Sequence, residues 1–346
     1  MKLSTNTHPT FHFLLLTILL AGCTKQPAQI NRLQWPTMGT IAAVQSIDID
    51  TAQKLRTIAI DEFKTVEDEL SSWNEDSTLS TINNRAGTDT PTPVSKTFCN
   101  ILNISITITR QSNGAFTPLL GPVLHAWGFG NVQTPLSPPS TDKLTVALQL
   151  TDLSKIKIKS LTGTHTVQLT HKGMELDFGA VAKGYAVDIA WEKAKEQNLT
   201  NVLIDLGGNL RAMGEARPGR GGWLTGVKDP FNKNNLIAKL LILDGEAIAT
   251  SGNYERFVEI NGERCAHIID GRTAMPVKGM AGVTVVSPDA ATADALSTVL
   301  FVLDVEEGKK LIRDHYPDSL ALWIPDREPA EIIATDKMQQ RIQANQ

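Results

Sequence analysis

Leu55, Ala59, Phe63, Val66 and Leu70 recur at spacings of three and four, with charged residues between them. One face of an α-helix carries such a set, so the pattern predicts an amphipathic helix over 52–72. Phe98 to Gln111 reads as a second helix, although its isoleucines and threonines also suit a strand. Thr40 to Ile47 is rich in β-formers and reads as a first strand. Beyond residue 150, short apolar runs alternate with turns. Val202 to Leu206, Leu236 to Leu243 and Gly282 to Ser287 read as strands, the first of them buried. Phe257 to Ile260 and Glu263 to Ile269 flank Asn261-Gly262, a pair suited to a type I′ turn, and predict a hairpin. Ala290 to Val302 reads as a buried helix. Residues 84–97 and 131–143 hold prolines and read as loops. Runs of strands interrupted by a few helices imply an α+β fold rather than a βαβ repeat.

The amino terminus breaks this pattern. Lys2 is followed by an apolar run from Phe11 to Ala21. It is shorter than the ~20 residues of a membrane span and fits the core of a signal peptide. The run ends Leu20-Ala21-Gly22-Cys23, with small residues before a thiol that can take a lipid. Residues 1–22 are therefore expected to be a lipoprotein signal peptide, with Cys23 the lipidated first residue of the mature chain. Residues 23–34 then form a lipid-anchored tether, 35–335 the catalytic domain and 336–346 a polar tail. This assigns the protein to a space outside the cytoplasm, held on a membrane without spanning it.

Composition narrows the class. The chain of 346 residues is 41% hydrophobic and 20% charged, which supports a large globular core. Its net charge of −4 gives no basic field for non-specific nucleic-acid binding. Three cysteines do not make a disulfide scaffold, and Cys99 and Cys265 read as two separate thiols. There is no G-x-x-x-x-G-K-[ST] loop, no H-E-x-x-H, no C-x-x-C and no G-x-S-x-G.

What remains is a set of polar segments beside glycines. Glu175 to Tyr185 reads as a strand running into a helix, with Asp177 at the strand end and Lys183 at the helix start. A carboxylate, backbone amides and an ammonium in that order can hold sugar and phosphate groups. Asp205-Leu206-Gly207-Gly208-Asn209 ends a strand with two glycines, and Ala249 to Tyr254 reads as a polar turn between strands. His267 lies near Asp270 at the end of the predicted hairpin. Asp294 and Thr298, four apart, share one helical face, and oxygen ligands at that spacing suit Mg²⁺. Each of these taken alone also has an ordinary structural reading as a cap, turn or core residue.

In this order the segments resemble the ApbE family of FAD:protein FMN transferases. The resemblance covers residues 36 to 305. Its pieces are Met38-Gly39-Thr40, Ser71-Ser72-Trp73, Ser80 to Asn83, Gly114-Ala115-Phe116, Gly121-Pro122, Trp127 to Gly130, Leu176 to Gly179, Lys183-Gly184-Tyr185, Asp205 to Asn209, Thr250 to Gly252, His267 to Asp270 and Ala293-Asp294. The resemblance implies an α+β flavin-transferase fold with mixed or antiparallel sheets and flanking helices. It also implies Mg²⁺-dependent cleavage of FAD. FMN passes to a Thr or Ser of a target protein and AMP leaves. The targets it implies are subunits of sodium-pumping NADH:quinone oxidoreductase or Rnf-type complexes, and the place it implies is the periplasmic side of the bacterial inner membrane.

By the same resemblance, Met38, Trp73, Ala115, Phe116, Thr117, Asp177, Lys183 and Ile269 are the expected FAD contacts. The carbonyl of Ala180, with Asp294 and Thr298, is the expected Mg²⁺ site, and His267 is the expected general base. The sequence departs from the family pattern at Thr117, where Asp is usual, and at Ser297, where some members carry another Asp. Asn253 also replaces a common Asp, and Gly271 to Ala274 an expected Pro-x-Thr-Gly turn. Two other readings stay open on sequence: an FAD diphosphatase, in which water replaces the protein hydroxyl, and a non-catalytic flavin-binding lipoprotein.

Overall fold

In a computed structural model the described residues are 29–344, apart from 131–136, 162, 233, 254–256 and 261. The expected signal peptide and Cys23 lie outside them. Eight strands form a central sheet in which spatial order follows chain order: Asn31–Thr37, Thr40–Ser46, Val202–Leu206, Asn209–Met213, Ala247–Gly252, Met280–Ser287, Leu320–Pro325 and Ile333–Ala334. Every neighbouring pair is antiparallel. The sheet is a meander, and the other elements are excursions inserted between neighbouring strands.

Both faces of this sheet are covered, so the strands carry apolar residues in both registers. Ala42, Val44, Ile204, Ala249, Val283, Val285 and Trp323 point to the face packed by helices Ile49–Leu70, Ala182–Glu196 and Ala290–Val302. Leu203, Ala212, Ile248, Val286 and Leu322 point the other way, onto the hairpin of Trp223–Lys228 with Leu236–Ile242. The helix expected over 52–72 is Ile49–Leu70. Asp48 caps it by accepting the amide of Thr51 at 2.8 Å. Leu55, Phe63 and Val66 are fully buried, and each contributes about 1.5–3 kcal/mol on area grounds.

The structure changes several expectations. The chain has entered the sheet by Asn31, inside the stretch read as tether. The stretch read as a polar tail holds a helix over 336–344. Helix Asp336–Ala344 buries Met338 and Ile342, one turn apart, and Arg341 holds Glu246 at 2.6 and 3.0 Å. Phe98 to Gln111 lies in helix Lys96–Gln111, capped by Ser95. The loop over 84–97 contains a short strand, Thr92–Val94. In the hairpin the second strand ends at Ala266, and Ile269–Asp270 instead pairs with Met275–Pro276. No helix among the described residues is long and apolar enough to cross a membrane.

Candidate active site

Glu175 to Tyr185 reads as a strand running into a helix, but residues 174–181 join no sheet among the described residues. A side chain does the pairing instead. The Asn83 amide donates to the Leu176 carbonyl at 2.9 Å and accepts the Leu176 amide at 2.8 Å. Met174, Leu176 and Phe178 point into the core, which leaves Glu175 and Asp177 on the opposite side. The Asp177 amide donates to the Pro118 carbonyl at 2.7 Å, and the Gly271 amide donates to the Ala115 carbonyl at 3.1 Å. These bonds bring Ala115, Phe116 and Thr117 beside both Asp177 and the turn after Ile269. Thr117 is buried, and its hydroxyl accepts the Leu119 amide at 3.2 Å.

Asp177 is half-buried and accepts the Gly179 amide at 2.8 Å. Burial pushes its carboxyl above the ordinary carboxylate range, against the pull of that amide, His125 and Lys183. His125 was not singled out in the sequence. Its Nδ1 lies 3.0 Å from Glu175 Oε2, and this hydrogen bond raises the imidazole above its ordinary value. Fifty residues separate the two, and no spacing rule connects them.

After Asp177 the chain turns through Gly179 and Ala180 into helix Ala182–Glu196. The Lys183 ammonium donates to the Gly179 carbonyl at 3.3 Å and lies 3.7 Å from Asp294 Oδ2. Asp294 is only 5% exposed and accepts the Gly184 amide at 3.0 Å. It sits one turn inside helix Ala290–Val302, and the capping role belongs to Asp289, which accepts the Thr292 amide at 2.7 Å. Gly184 has a steric reason to be glycine, since a Cβ there would come 2.1 Å from the Ala290 carbonyl oxygen. The Asp294 carbonyl accepts from the Ser297 hydroxyl at 2.8 Å and from Thr298 at 3.5 Å. Ser251 reaches in from the sheet, 2.8 Å from Ser297 Oγ and 3.3 Å from Thr298 Oγ1.

The turn between the first two strands and the turn between Val202–Leu206 and Asn209–Met213 lie together at one end of the sheet. Met38 adopts φ 47° in the turn between the first two strands, and that turn lines an open groove with Thr37, Thr40 and Glu67. Gly207 packs on Thr40, leaving no room for a Cβ. Asn209 is buried, and its Oδ1 has no hydrogen-bond partner among the described residues. His267 is half-buried between Ala266 and Ile268, where the chain passes from one hairpin to the next. Ile269 is buried beside it. Trp73 is the exception, 60% exposed on the turn after helix Ile49–Leu70 with its ring in solvent.

The structure thus makes two linked clusters. One joins Ala115, Phe116, Thr117, Asp177 and the Ile269–Gly271 turn. The other joins Lys183, Asp294, Thr298, Ser297 and Ser251, with Ala180 in the connecting turn. Oxygen ligands and one ammonium meet there, a combination suited to a phosphate ester and a hard cation.

A family model for the ApbE family matches residues 38–323. The FAD:protein FMN transferase of Klebsiella pneumoniae is 30% identical over 309 residues, covering 86% of this chain and 87% of that protein. The one from Treponema pallidum is 34% identical over 270 residues, covering 75% and 74%. Among solved structures, the flavin transferase ApbE from Vibrio cholerae matches with a TM-score of 0.78 at 26% identity, over 91% of this chain and all of that one. The ApbE protein of Thermotoga maritima matches with a TM-score of 0.79, also at 26% identity, over 91% and 99%.

Proposed function

The chain belongs to the ApbE family, and on that premise we propose how it acts. It is a flavin transferase that takes FAD as substrate. The FAD pyrophosphate is cleaved, FMN is joined through a phosphoester to a Thr or Ser hydroxyl of a target protein, and AMP leaves. One observation carries the reading of the site: the buried Asp294 carboxylate accepts the Gly184 amide in the first turn of helix Ala182–Glu196 at 3.0 Å and lies 3.7 Å from the Lys183 ammonium.

The donor set fits Mg²⁺. Asp294 offers a carboxylate, Thr298 a hydroxyl and Ala180 a backbone carbonyl, all hard oxygens. When bound, the ion supplies charge neutralisation for the cleaved pyrophosphate. The chain's own residues do the rest. Lys183 gives a point charge for phosphate oxygens. Asp177, fixed by Gly179 and Pro118, holds a polar end of FAD, with Ala115 to Thr117 and Ile269 forming the wall beside it. Met38 borders the open side. His267 takes the proton from the incoming hydroxyl on an imidazole nitrogen, the general-base role to which that ring is suited. Phosphorus transfer depends mainly on such positioning and charge placement.

We place the enzyme on the periplasmic side of the inner membrane, held by a lipid on Cys23, with acceptors among subunits of sodium-pumping NADH:quinone oxidoreductase or Rnf-type complexes. The support is the Leu20-Ala21-Gly22-Cys23 pattern and the family resemblance. Mass spectrometry of the mature amino terminus tests the anchor, and an unmodified start downstream of Cys23 removes it. For the reaction, the protein is incubated with FAD, Mg²⁺ and a candidate acceptor subunit. Flavin fluorescence covalently on the acceptor is expected. Free FMN without labelled acceptor points to a diphosphatase, and unchanged FAD to a binding protein.

A further inference from the structure

Helices Ala182–Glu196 and Ala290–Val302 exchange caps. Asp294 of the second accepts the Gly184 amide in the first turn of the first, at 3.0 Å. Asp188 of the first returns the contact. Its Oδ1 accepts the Ala290 amide and its Oδ2 the Ala291 amide, both at 2.8 Å. Each helix thereby satisfies orphan N–H groups of the other. Arg211, buried in the sheet strand Asn209–Met213, closes the arrangement. It donates to Asp188 Oδ1 at 2.8 Å, to the Pro288 carbonyl at 3.1 Å and to the Gly245 carbonyl at 3.2 Å. Its guanidinium also lies 4.0 Å over the Trp191 ring. Burial raises the Asp188 carboxyl to about 6 while Arg211 and the two amides favour the charged form, so the group is ionised at mildly alkaline pH. Charge-assisted bonds of this kind are short and stronger than neutral ones.

None of the chemistry above uses Asp188 or Arg211. We infer that Asp188, braced by Arg211, is a positioning residue for the cation site: it fixes the first turn of helix Ala290–Val302, and so sets where Asp294 stands relative to Gly184 and Lys183. The inference rests on the reading of Asp294 as a cation ligand. Ala290 precedes Asp294 by one turn on a single rigid helix, so a slip at Ala290 moves the carboxylate with it. Asp188 itself is bonded to Ala290, Ala291 and Arg211 and is not among the oxygen donors of the cation site.

The test uses the full chain at mildly alkaline pH, with Mn²⁺ as the probe. Mn²⁺ binding in the presence of FAD is read from the EPR signal of the free ion. The Mg²⁺ concentration for half-maximal FMN transfer is measured in parallel. Outer partners of metal ligands are worth about 10- to 100-fold in affinity. Asp188→Asn keeps the shape and removes the charge, so it should weaken Mn²⁺ binding about tenfold, with a smaller loss in kcat at saturating Mg²⁺. Arg211→Lys, which drops the strut to Pro288, should shift both in the same direction by less. Asp294→Ala should abolish Mn²⁺ binding. If Asp294→Ala abolishes it and Asp188→Asn leaves it unchanged, Asp188 is a cap only and the inference fails while the site stands. If Asp294→Ala binds Mn²⁺ normally, the cation site itself is misplaced. Should Asp188→Asn fail to fold, wild-type Mn²⁺ affinity in Arg211→Lys overturns the inference equally.

Discussion

Gly184→Ala adds one methyl group where two helices meet. Helix propensity alone favours the change by about 1 kcal/mol. The contact opposes it. The new Cβ would stand 2.1 Å from the Ala290 oxygen, 2.6 Å from its carbonyl carbon and 2.8 Å from Asp294 Cβ. Two of these are backbone atoms and cannot rotate away, so the helices must part by roughly an ångström to restore ordinary contact. Overpacking of this kind costs about 1–3 kcal/mol, occasionally more. The same movement stretches the Gly184 amide bond to the Asp294 carboxylate, a charged hydrogen bond worth about 1.5–3 kcal/mol. The net expectation is a loss of about 2–5 kcal/mol, a large fraction of the stability of an ordinary domain. Urea unfolding of wild type and variant measures it. FMN transfer should fall further than stability, because Asp294 moves with the helix. A variant as stable as wild type, with unchanged transfer, would refute the close approach and the role given to Gly184.

Three further outcomes are expected. The His125–Glu175 pair gives His125 a folded value above its unfolded 6.5, so its stabilisation is complete below that value and lost as pH rises through the folded one. His125→Gln should remove that fall in a melting-temperature series across neutral pH, and identical slopes in both proteins would disprove the pairing. Trp73→Ala should leave stability within about 0.5 kcal/mol, since the residue is 60% exposed. It should weaken FAD binding roughly ten- to a hundredfold if base-type stacking of about 1–3 kcal/mol is lost, and an unchanged titration takes Trp73 out of the site. His267→Ala should slow FMN transfer about 10²- to 10⁴-fold with FAD and Mn²⁺ affinity retained, and a wild-type rate would assign the base elsewhere.

Elements with one strong period were legible from the sequence. Leu55 to Leu70 marked its helix because five apolar residues repeat on one face. The Val202 to Leu206 strand and the Ala290 to Val302 helix showed as short apolar stretches because they are buried on more than one side. The first strand, Asn31–Thr37, was missed because its residues are mixed and it sits at the sheet edge. The carboxy-terminal helix hides its core contact in two residues, Met338 and Ile342, among polar neighbours. In the site, the chemically unusual residues were legible as types, and the resemblance supplied their grouping. The partners that hold them were not. Asn83 against Leu176, His125 against Glu175 and Asp188 against Ala290 each join residues far apart in the chain, and only the fold brings them together.

The meander of the central sheet also orders events in time. From Val202 onward each strand meets its neighbour after a modest stretch of chain. The hairpin of Asn31–Thr37 with Thr40–Ser46 must wait for everything up to Val202 before its inner edge is paired. Loop closure over such a distance costs only slightly more than over half of it, yet the wait itself leaves open strand edges that can join another chain. Hydrogen exchange during refolding should therefore protect Val202–Met213 and Met280–Ser287 before Thr40–Ser46. The turn at Met38 belongs to that late-joining hairpin, so Thr40 meets Gly207 only once the hairpin has docked on Val202–Leu206.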